Sequence, residues 1–373
     1  MRPRILIISD TLPPDPNGVA VIAQRTASIL AEHQDVHLFG PEGLSAPGVI
    51  EQTFVRRTQG GTPDIRLPER RTWQLARAIW RTDRVAVHSL GPLGCAALVL
   101  GRLLRRPTIF FVHNDLPELL AHGLEAGRFR PWMRVCSKWL QAVACAFAHE
   151  VVAPKRLARP TDRTLQLLPP KAPPAPASRR RGKAFIVAYH GRISREKGLD
   201  AVVAALGQLL EFKPVLYLVG RGSELPALQD QAHQLGVTLV HQAWCEHPTD
   251  FLVQADAYVM ASRTETYSLA TLEALGCGLP VVARRVGEIP NYIDHMKNGL
   301  LFDVDHDLPA ALRLLARDSQ LRLRLGDAAR ANACEGSVWA QFAAASLGCS
   351  PLARDVTPMI RRPLGETTLE SAA

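Results

Sequence analysis

Short apolar runs alternate with helix-like stretches through the first half of the chain. The runs predict buried strands at Arg4–Ser9, Asp35–Phe39, Val85–His88, Thr108–His113, Glu150–Ala153 and Leu165–Leu168. Apolar residues at helical spacing predict helices from about Val19 to Glu32 and at Trp73–Trp80, Cys95–Leu104 and Pro131–Ala148. Alternating strands and helices predict a parallel sheet with helices on both faces.

A Pro- and Arg-rich segment, residues 170–182, interrupts this alternation and is typical of a semi-rigid linker. Beyond it the pattern starts again. It predicts strands at Ala184–Tyr189, Pro214–Val219, Thr238–His241, Ala257–Met260 and Pro280–Ala283, with helices at Gly198–Leu210 and Ser223–Leu235.

The chain is therefore predicted to be an α/β protein with two Rossmann-like domains, residues 1–169 and 183–336, facing a deep cleft. Residues 337–373 are predicted to form a helix, Trp339–Leu347, which packs back on the first domain, and a tail. Ligands of doubly wound sheets bind beyond the C-terminal ends of the strands. We therefore expect the functional site in the cleft.

The stretch Ala257–Gly278 carries the most distinctive chemistry. Its strand ends in a polar turn, and a helix-like segment begins at Ser268. The free N–H groups of a first helical turn form an anion site. Glu265 and Glu273 flank that site, and carboxylates accept hydrogen bonds from the hydroxyls of sugars. The stretch indicates a sugar-nucleotide site, although an ordinary strand–loop–helix unit with solvated glutamates has the same pattern.

A cationic loop follows the strand Ala184–Tyr189 and has the sequence GRISREKG, from Gly191 to Gly198. Arg192, Arg195 and Lys197 could neutralise a diphosphate there. A solvated turn whose charges serve solubility is the alternative. We favour the diphosphate interpretation because this loop shares a domain with the two glutamates.

Two features of the first half point to ligands more weakly. The loop that ends at Gly18 joins a strand to a helix, which brings backbone N–H groups to a phosphate, but it lacks the three-glycine dinucleotide fingerprint. His113 ends a predicted strand, where it could orient a hydroxyl or relay a proton near neutral pH. A purely structural histidine would occupy the same position.

The net charge of +9 lies almost entirely in the first half, where residues 1–170 carry 22 Lys and Arg against 14 Asp and Glu. Basic residues are mixed with aromatic ones in Arg128–Arg134, which suits an anionic membrane surface. A solubilising Arg-rich face would give the same composition. No zinc-finger spacing or RNA-binding strand pattern occurs, so we expect no nucleic-acid partner.

The remaining composition is that of an ordinary cytosolic protein. The 7 cysteines include no Cys-x-x-Cys pair, so we expect reduced, mostly buried thiols. The N-terminal MRPRILIISD is predicted to be a core strand rather than a signal peptide. The longest apolar stretch, Leu90–Leu100, is too short to span a bilayer. We expect a cytoplasmic location, peripheral at the inner face of the cytoplasmic membrane.

These motifs together resemble the retaining GT-B glycosyltransferases of family 4. Glu265–Glu273, ETYSLATLE, is similar to the family motif of two glutamates separated by seven residues. The loop Gly191–Gly198 resembles its diphosphate loop, and Pro14–Gly18 resembles its N-terminal glycine loop. Val112–Pro117, VHNDLP, is similar to a segment of the glycolipid-forming subgroup, which includes sulfoquinovosyl and lipid α-mannosyl transferases. The resemblance is most specific from Ala184 to about Leu312.

The resemblance implies a role for each matching residue. Arg192 and Lys197 would hold the diphosphate and stabilise the leaving group. Glu265 would bind the transferred sugar, Glu273 the ribose, and His113 the sugar near the reacting carbon. The other donor-binding residues implied, with base recognition around Trp244, are Gly18, Trp244, Tyr267, Ser268 and Leu269. The resemblance implies no cofactor and no metal ion, and the acidic loop Asp303–Asp307 is interpreted as solvated.

The chain departs from the family pattern at Tyr267 and Ser268, where Phe or Leu and then Gly are usual. The Ser268 side chain could crowd the sugar or donate a new hydrogen bond. Asp115 replaces a second histidine, and Asn17 precedes Gly18 where a glycine pair is common.

The expected function is metal-independent, retaining transfer of a hexose from a UDP- or GDP-sugar to a lipid or glycan acceptor of the cell envelope. Two other functions stay open at this point. One is a sugar-nucleotide epimerase of GT-B architecture. The other is a non-catalytic carbohydrate- or membrane-binding protein, which the presence of Arg192, Lys197, Glu265 and Glu273 makes the weaker interpretation.

Overall fold

A computed structural model describes residues 3–347 except 13–17, 33, 42–48, 53, 56–66, 69–71, 114–129, 166, 171–183, 246 and 334–337. Its described residues form two compact units. The first draws on Met1–Gln166 and Trp339–Ala373, and the second on Leu167–Val338. The predicted linker at residues 170–182 lies, after Pro170, outside the described residues.

The first unit is built on a parallel sheet. Its strands are β1 (Arg4–Ile8), β2 (Asp35–Pro41), β3 (Val49–Gln52), β6 (Arg84–Val87), β7 (Thr108–Phe111), β8 (Glu150–Ala153) and β9 (Arg163–Thr164). Their order across the sheet is β3-β2-β1-β6-β7-β8-β9. A separate antiparallel pair consists of β4 (Phe54–Val55) and β5 (Leu67–Pro68). Strand β1, inside the sheet, is parallel to β2 and β6, with Ile5 opposite Val36 and Arg84.

Helices cover this sheet because their apolar residues face it. They are α1 (Gly18–Ala31), α2 (Thr72–Trp80), α3 (Pro92–Leu103), α4 (Arg130–Phe147) and α12 (Val338–Ser346). α3 packs against both α2 and α4. α12, from the end of the chain, places the fully buried Phe342 with its ring centroid 6.0 Å from that of Phe111 in β7.

The second unit contains a second parallel sheet with the order β12-β11-β10-β13-β14-β15. The strands are β10 (Ile186–His190), β11 (Val215–Val219), β12 (Thr238–Gln242), β13 (Ala257–Met260), β14 (Val281–Arg284) and β15 (Leu300–Phe302). The α-helices are α5 (Leu199–Gly207), α6 (Leu225–Gln234), α7 (Thr249–Leu252), α8 (Leu269–Gly276), α9 (Ile289–Tyr292), α10 (Leu308–Arg317) and α11 (Ser319–Ala331). β13 is buried along its whole length, as its continuous apolar sequence requires.

One predicted strand has the wrong bounds, and several short elements were not predicted. The bounds predicted for Leu165–Leu168 are wrong, because the strand here is β9, Arg163–Thr164. Leu165 still donates its backbone N–H to the carbonyl oxygen of Ala153 in β8 at 2.8 Å, and Leu165 and Leu167 are 1% and 2% exposed. The edge strands β3 and β15 were among those not predicted; β3 mixes polar with apolar residues, and β15 has only three residues.

Candidate functional site

The cationic loop after β10 is held by its own side chains. The Ser194 hydroxyl donates to Glu196 Oε1 at 2.6 Å, and Arg192 Nε lies 3.7 Å from the same oxygen. Burial raises the pKa of Glu196, but the Ser194 hydroxyl, backbone N–H groups and the cations Arg192 and Lys197 lower it by more, so Glu196 is ionised at neutral pH. Glu196 therefore fixes the loop that carries Arg192 and Lys197.

A glycine at the end of this loop allows close approach to the neighbouring strand. Gly198 has a φ of +65°, and a Cβ there would lie 2.4 Å from the carbonyl oxygen of Ala261. Ala261 directly follows β13, so only glycine allows the loop to lie this close to the turn after β13. The close approach brings Lys197 to Glu265, although they are far apart in sequence.

Lys197 and Glu265 form a direct ion pair. Lys197 Nζ lies 2.6 Å from Glu265 Oε1, and their side chains are 17% and 13% exposed. The Ser262 hydroxyl also donates to Glu265 Oε1, at 3.0 Å. Among the described residues Glu265 Oε2 has no hydrogen-bond donor, so it is available to a hydroxyl. The pair thus presents an ammonium and a carboxylate oxygen side by side.

The turn before α8 holds an unusual backbone conformation. Ser268 has φ 48° and ψ 69°, in the left-handed region that glycine adopts most readily. Its hydroxyl hydrogen-bonds with Thr271 Oγ1 at 2.8 Å, and its side chain is buried. The hydroxyl is thus engaged with a residue of α8, and the effect of Ser268 on a bound sugar stays a prediction.

Tyr267 is also part of the protein interior. Its side chain is 6% exposed, and burial, with a smaller contribution from Glu288, raises the pKa of its phenol well above the usual value. Its carbonyl oxygen accepts a hydrogen bond from Tyr292 at 2.9 Å. The Tyr267 side chain is therefore part of the buried interior of the second unit, and its place in donor binding stays a prediction.

Glu273 lies in α8 beside a histidine. Glu273 Oε2 is 2.7 Å from His190 Nε2, at the end of β10. β10 and β13 are neighbouring parallel strands, with Ala188 opposite Tyr258. One edge of the second sheet therefore carries Arg192, Lys197, Glu265 and Glu273, as their positions after adjacent strands predict.

Trp244 and the acidic loop lie elsewhere in the second unit. Trp244 follows β12, is 70% exposed, and its carbonyl oxygen accepts from Gln242 Nε2 at 2.8 Å. In the acidic loop, Asp305 pairs with Arg284, and Asp303 Oδ2 lies 3.5 Å from Arg285 Nε. The loop is thus ion-paired rather than simply solvated.

Among the described residues no group of three or more His, Cys, Asp and Glu side chains is arranged to hold a metal ion.

In the first unit, His113 lies just beyond β7 and is buried against a second histidine. His113 Nε2 is 2.9 Å from His88 Nδ1. Burial lowers the pKa of His113 to about 3, so its ring is neutral near pH 7. This disfavours the predicted proton relay at neutral pH, and the orientation of a hydroxyl by His113 stays a prediction. His88 was not singled out, because a histidine at the end of an apolar run resembles any core histidine.

Gly18 is the first residue of α1 and is exposed, and nothing lies within 4 Å of where its Cβ would be. The residues before it, 13–17, fall outside the described part of the chain, as does Asp115. A different anion site is already filled in this unit. The Asp10 carboxylate accepts hydrogen bonds from the backbone N–H groups of Gly91, Leu93 and Gly94 at the start of α3.

The comparison with protein families covers both units. Residues 175–332 match the family Glycosyl transferases group 1, and residues 16–172 match Glycosyltransferase Family 4. The chain belongs to the group 1 glycosyltransferases of family 4. The family predicted from the sequence motifs is thereby confirmed.

This glycosyltransferase resembles curated relatives over part of their length. The D-inositol 3-phosphate glycosyltransferase of Corynebacterium jeikeium is 33% identical over 167 residues, which is 41% of this chain and 40% of the relative. The sulfoquinovosyl transferase of Arabidopsis thaliana is 32% identical over 151 residues, 39% of this chain and 29% of the relative. The alignment thus spans less than half of either relative.

Solved structures match nearly the whole glycosyltransferase chain. The Anabaena HepE protein in complex with UDP-glucose has a TM-score of 0.68 and 17% identity, covering 96% of this chain and 97% of its own. WaaG, a glycosyltransferase involved in lipopolysaccharide biosynthesis, has a TM-score of 0.63 and 17% identity, covering 88% and 94%. At this identity the likeness concerns the fold, and the predicted GT-B fold class is confirmed.

Proposed function

We propose that this protein is a retaining glycosyltransferase that moves a hexose from a UDP- or GDP-sugar to a lipid or glycan acceptor of the cell envelope. The observation that carries the proposal is the Lys197–Glu265 pair, 2.6 Å apart, on the sheet edge that also holds Arg192 and the start of α8. Cations and helix N–H groups suit a diphosphate, and the adjacent carboxylate suits a sugar hydroxyl.

Each group has a distinct task in this proposal. Lys197 and Arg192 bind the diphosphate and stabilise the negative charge that grows on it as the sugar leaves. Glu265 Oε2 accepts a hydrogen bond from a hydroxyl of the sugar and so orients it. Glu273, held by His190 through one oxygen, accepts from the ribose hydroxyls with the other. No metal ion takes part, so chelation with EDTA should leave the rate unchanged.

The known proteins say more about the sugar donor than about the acceptor. HepE structures contain UDP-glucose in one case and UDP with glucose in another, which favours a uridine donor. The names of the known proteins point to different substrates: one names an inositol phosphate, one names a sulfoquinovosyl group as the group transferred, and WaaG is involved in lipopolysaccharide biosynthesis. We propose an envelope acceptor for this chain because the first unit also carries a surface suited to an anionic membrane.

The exposed residues that suit it, here called the tryptophan face, lie on α4 and α2, two helices that both pack against α3. Trp132, Val135 and Trp139 lie on one side of α4 at helical spacing, and the two tryptophans are 73% and 69% exposed. α2 adds Trp73 and Trp80, both more than half exposed. Exposed tryptophans beside basic residues suit the interfacial region of an anionic bilayer. None of the helices within the described residues has the length and apolar character needed to cross a membrane.

Transfer is tested with the full chain, membranes, and radiolabelled UDP-glucose or GDP-mannose. The wild type should move label to an acceptor, and Lys197→Ala should lower kcat by about 100-fold or more, because it removes a charge that stabilises the leaving group. Lys297→Ala is the matched control, since Lys297 is exposed and pairs only loosely with Asp294, at 3.6 Å. Absence of both transfer and donor hydrolysis with every sugar nucleotide would refute the proposal.

The two other functions predict different products. An epimerase would convert the sugar nucleotide without any acceptor, which product analysis detects. A non-catalytic binding protein would keep its cellular role in the Lys197→Ala variant. A thermal-shift panel with UDP, GDP and ADP identifies the base, because a ligand that binds the folded state raises its melting temperature.

A further inference from the structure

A histidine and a glutamate meet inside the second unit, where β10 and α8 come together. His190 is the last residue of β10, directly before the cationic loop, and Glu273 lies in α8. His190 Nε2 is 2.7 Å from Glu273 Oε2, and the two side chains are 13% and 25% exposed. Both residues belong to the same compact unit as Lys197 and Glu265. The pair therefore lies beside the groups proposed to hold the donor, and its geometry depends on one unit alone.

Aromatic rings restrain the His190 imidazole. Its ring centroid lies 5.5 Å from that of Phe251, with the planes at 77°, and 5.6 Å from that of Tyr258, with the planes at 67°. The backbone of His190 is fixed as well, because β10 pairs with β11 and places His190 opposite Val219. Packing of this kind limits rotation of the ring. Nε2 therefore stays within hydrogen-bond distance of Glu273.

The position of the proton in this hydrogen bond follows from the other ring nitrogen. Either His190 donates from Nε2 to an ionised carboxylate, or a protonated Glu273 donates to Nε2. His190 Nδ1 is buried without a partner among the described residues. If Glu273 donated, or if the ring carried both protons, an N–H would be buried at Nδ1 with no acceptor. Donation by a neutral His190 leaves only a lone pair there, and this is favoured because buried N–H groups without a partner are rare.

Glu273 then keeps one oxygen for a ligand. Within the described part of the chain no hydrogen bond is made to Glu273 Oε1, and the side chain is one quarter exposed. Because His190 supplies the proton of the pair, the carboxylate is charged and Oε1 can only accept. Such a group repels a diphosphate and attracts hydroxyls. In a nucleoside diphosphate the hydroxyls are those of the ribose.

We propose that His190 is a positioning residue that makes the donor site selective for ribose over 2′-deoxyribose. Its Nε2–H holds Glu273 Oε2, which aims Oε1 at the ribose hydroxyls. This inference rests on the proposed function for its ligand, a nucleoside diphosphate, but it concerns binding alone and requires neither an acceptor nor sugar transfer. A hydrogen bond from a hydroxyl to a charged acceptor is stronger than one between neutral groups, so the loss of one hydroxyl is costly while Glu273 is held in place.

Calorimetric titration of the full chain with UDP and 2′-deoxy-UDP tests the selectivity, with GDP and 2′-deoxy-GDP as a second pair. The wild type should bind the ribonucleotide of at least one pair about 10-fold more tightly than its deoxy form. In His190→Phe, which keeps a packed ring but removes the donor, this preference should fall to about threefold or less, because Glu273 is no longer held. No preference in the wild type, no binding of any of the four nucleotides, or an unchanged preference in His190→Phe would overturn the inference.

Two further variants separate positioning from packing. His190→Gln should restore most of the ribose preference, because its amide N–H can donate from near the position of Nε2. His233→Phe is the control, since His233 is exposed on α6, and it should keep the wild-type preference. A purely structural loss would weaken UDP and 2′-deoxy-UDP alike and leave the ratio of their affinities unchanged. Failure of His190→Gln to restore the ratio, in a variant that keeps the wild-type melting temperature, would contradict the role of the hydrogen bond.

The proton arrangement is measured separately, by a long-range proton–nitrogen NMR spectrum of the full chain with 15N-labelled histidine. His190 should be protonated on Nε2 and bare on Nδ1, and a proton on Nδ1 would overturn the arrangement. The two proposals fail in different ways. If the wild type transfers no sugar but prefers UDP through His190, only the proposed function fails. If it transfers sugar but binds ribo- and deoxyribonucleotides equally, only the role of His190 fails.

Discussion

Ser268 shows how one side chain can offset an unfavourable backbone. A residue other than glycine in the left-handed region costs about 1–2 kcal/mol. The hydrogen bond between the Ser268 hydroxyl and Thr271 Oγ1, 2.8 Å long, offsets part of that cost. The departure from the usual family glycine is thus accommodated within α8, and the first helical turn can still present its backbone to a phosphate.

A pair of substitutions separates the two effects at Ser268. Ser268→Ala loses the hydrogen bond and keeps the strain, whereas Ser268→Gly loses both. The free energy of unfolding, measured in urea, should therefore be about 1 kcal/mol lower for Ala than for Gly. At Thr271, inside α8, the order should reverse, because glycine is the poorer residue in a regular helix. Finding alanine the more stable choice at both positions would contradict the strain argument.

The buried histidines predict a dependence of stability on pH. The pKa of His113 is about 3 in the folded protein against an ordinary 6.5, so between these values the unfolded chain binds more protons. The stability contribution is present above pH 6.5 and is lost as the pH falls. Between pH 6.5 and 5, the free energy of unfolding should drop by about 1 kcal/mol per pH unit for this residue.

Substitution of each histidine identifies which groups cause this change of the free energy of unfolding with pH. His113→Phe should flatten the pH dependence measured by urea unfolding, and His88→Phe should do so as well, since burial also lowers the pKa of His88. His306→Phe, at an exposed site, is the control and should keep the wild-type slope. A slope that survives in both His113→Phe and His88→Phe would mean that other groups cause it.

At the scale of elements, the start of α3 depends on an acid from a different part of the chain. Asp10 follows β1 and accepts hydrogen bonds from three backbone N–H groups at 2.7–3.1 Å and from the Ser89 hydroxyl at 2.6 Å. These bonds satisfy N–H groups that the helix cannot use and place a negative charge at its positive end. Asp10 thereby ties α3 to the sheet edge that carries His88.

Removing this cap should destabilise the protein more than removing an ordinary one. Asp10→Ala should lower the free energy of unfolding by about 2 kcal/mol, at the upper end for helix caps, because several charged hydrogen bonds are lost. Asp318→Ala, which removes a single bond to Leu321 at the start of α11, should cost about 1 kcal/mol. A smaller cost for Asp10→Ala than for Asp318→Ala, measured by chemical unfolding, would show that the extra bonds contribute little.

At the scale of the whole molecule, charge and exposed tryptophans coincide in the first unit. The full chain should pellet with anionic liposomes, and binding should weaken as salt rises from about 0.1 M, because salt screens surface charge. Replacing Trp132 and Trp139 together by Ser should reduce binding by about tenfold or more, since both leave the interface. Pelleting is measured by sedimentation.

A control substitution tests whether the loss of any exposed tryptophan would lower liposome binding. Trp244→Ser in the second unit removes a tryptophan of similar exposure, 70%, and should leave liposome binding as in the wild type. Equal binding to neutral and anionic liposomes, or an equal loss in Trp244→Ser, would argue against the tryptophan face as the membrane contact.

Most strands and helices follow from local sequence, because burial on both sides of a parallel strand demands a continuous apolar run. β1, β7 and β13 were predicted within two residues for this reason. The cationic loop and the two glutamates were also predictable, since both follow such strands. Leu165–Leu168 shows what such a run leaves open, because it reports burial without fixing the residues at which the strand begins and ends.

Contacts between distant segments could be decided only by the tertiary structure. The sequence contains Lys197 and Glu265 but not the 2.6 Å between them, which depends on β10 lying beside β13 and on Gly198 passing close to Ala261. The pairing of His88 with His113 likewise needs β6 and β7 to be neighbours and needs α12 to return Phe342 to their edge. Residue types and the local periodicity of apolar residues can be read from the sequence. Strand order and the contacts between distant side chains are decided only when the whole unit packs.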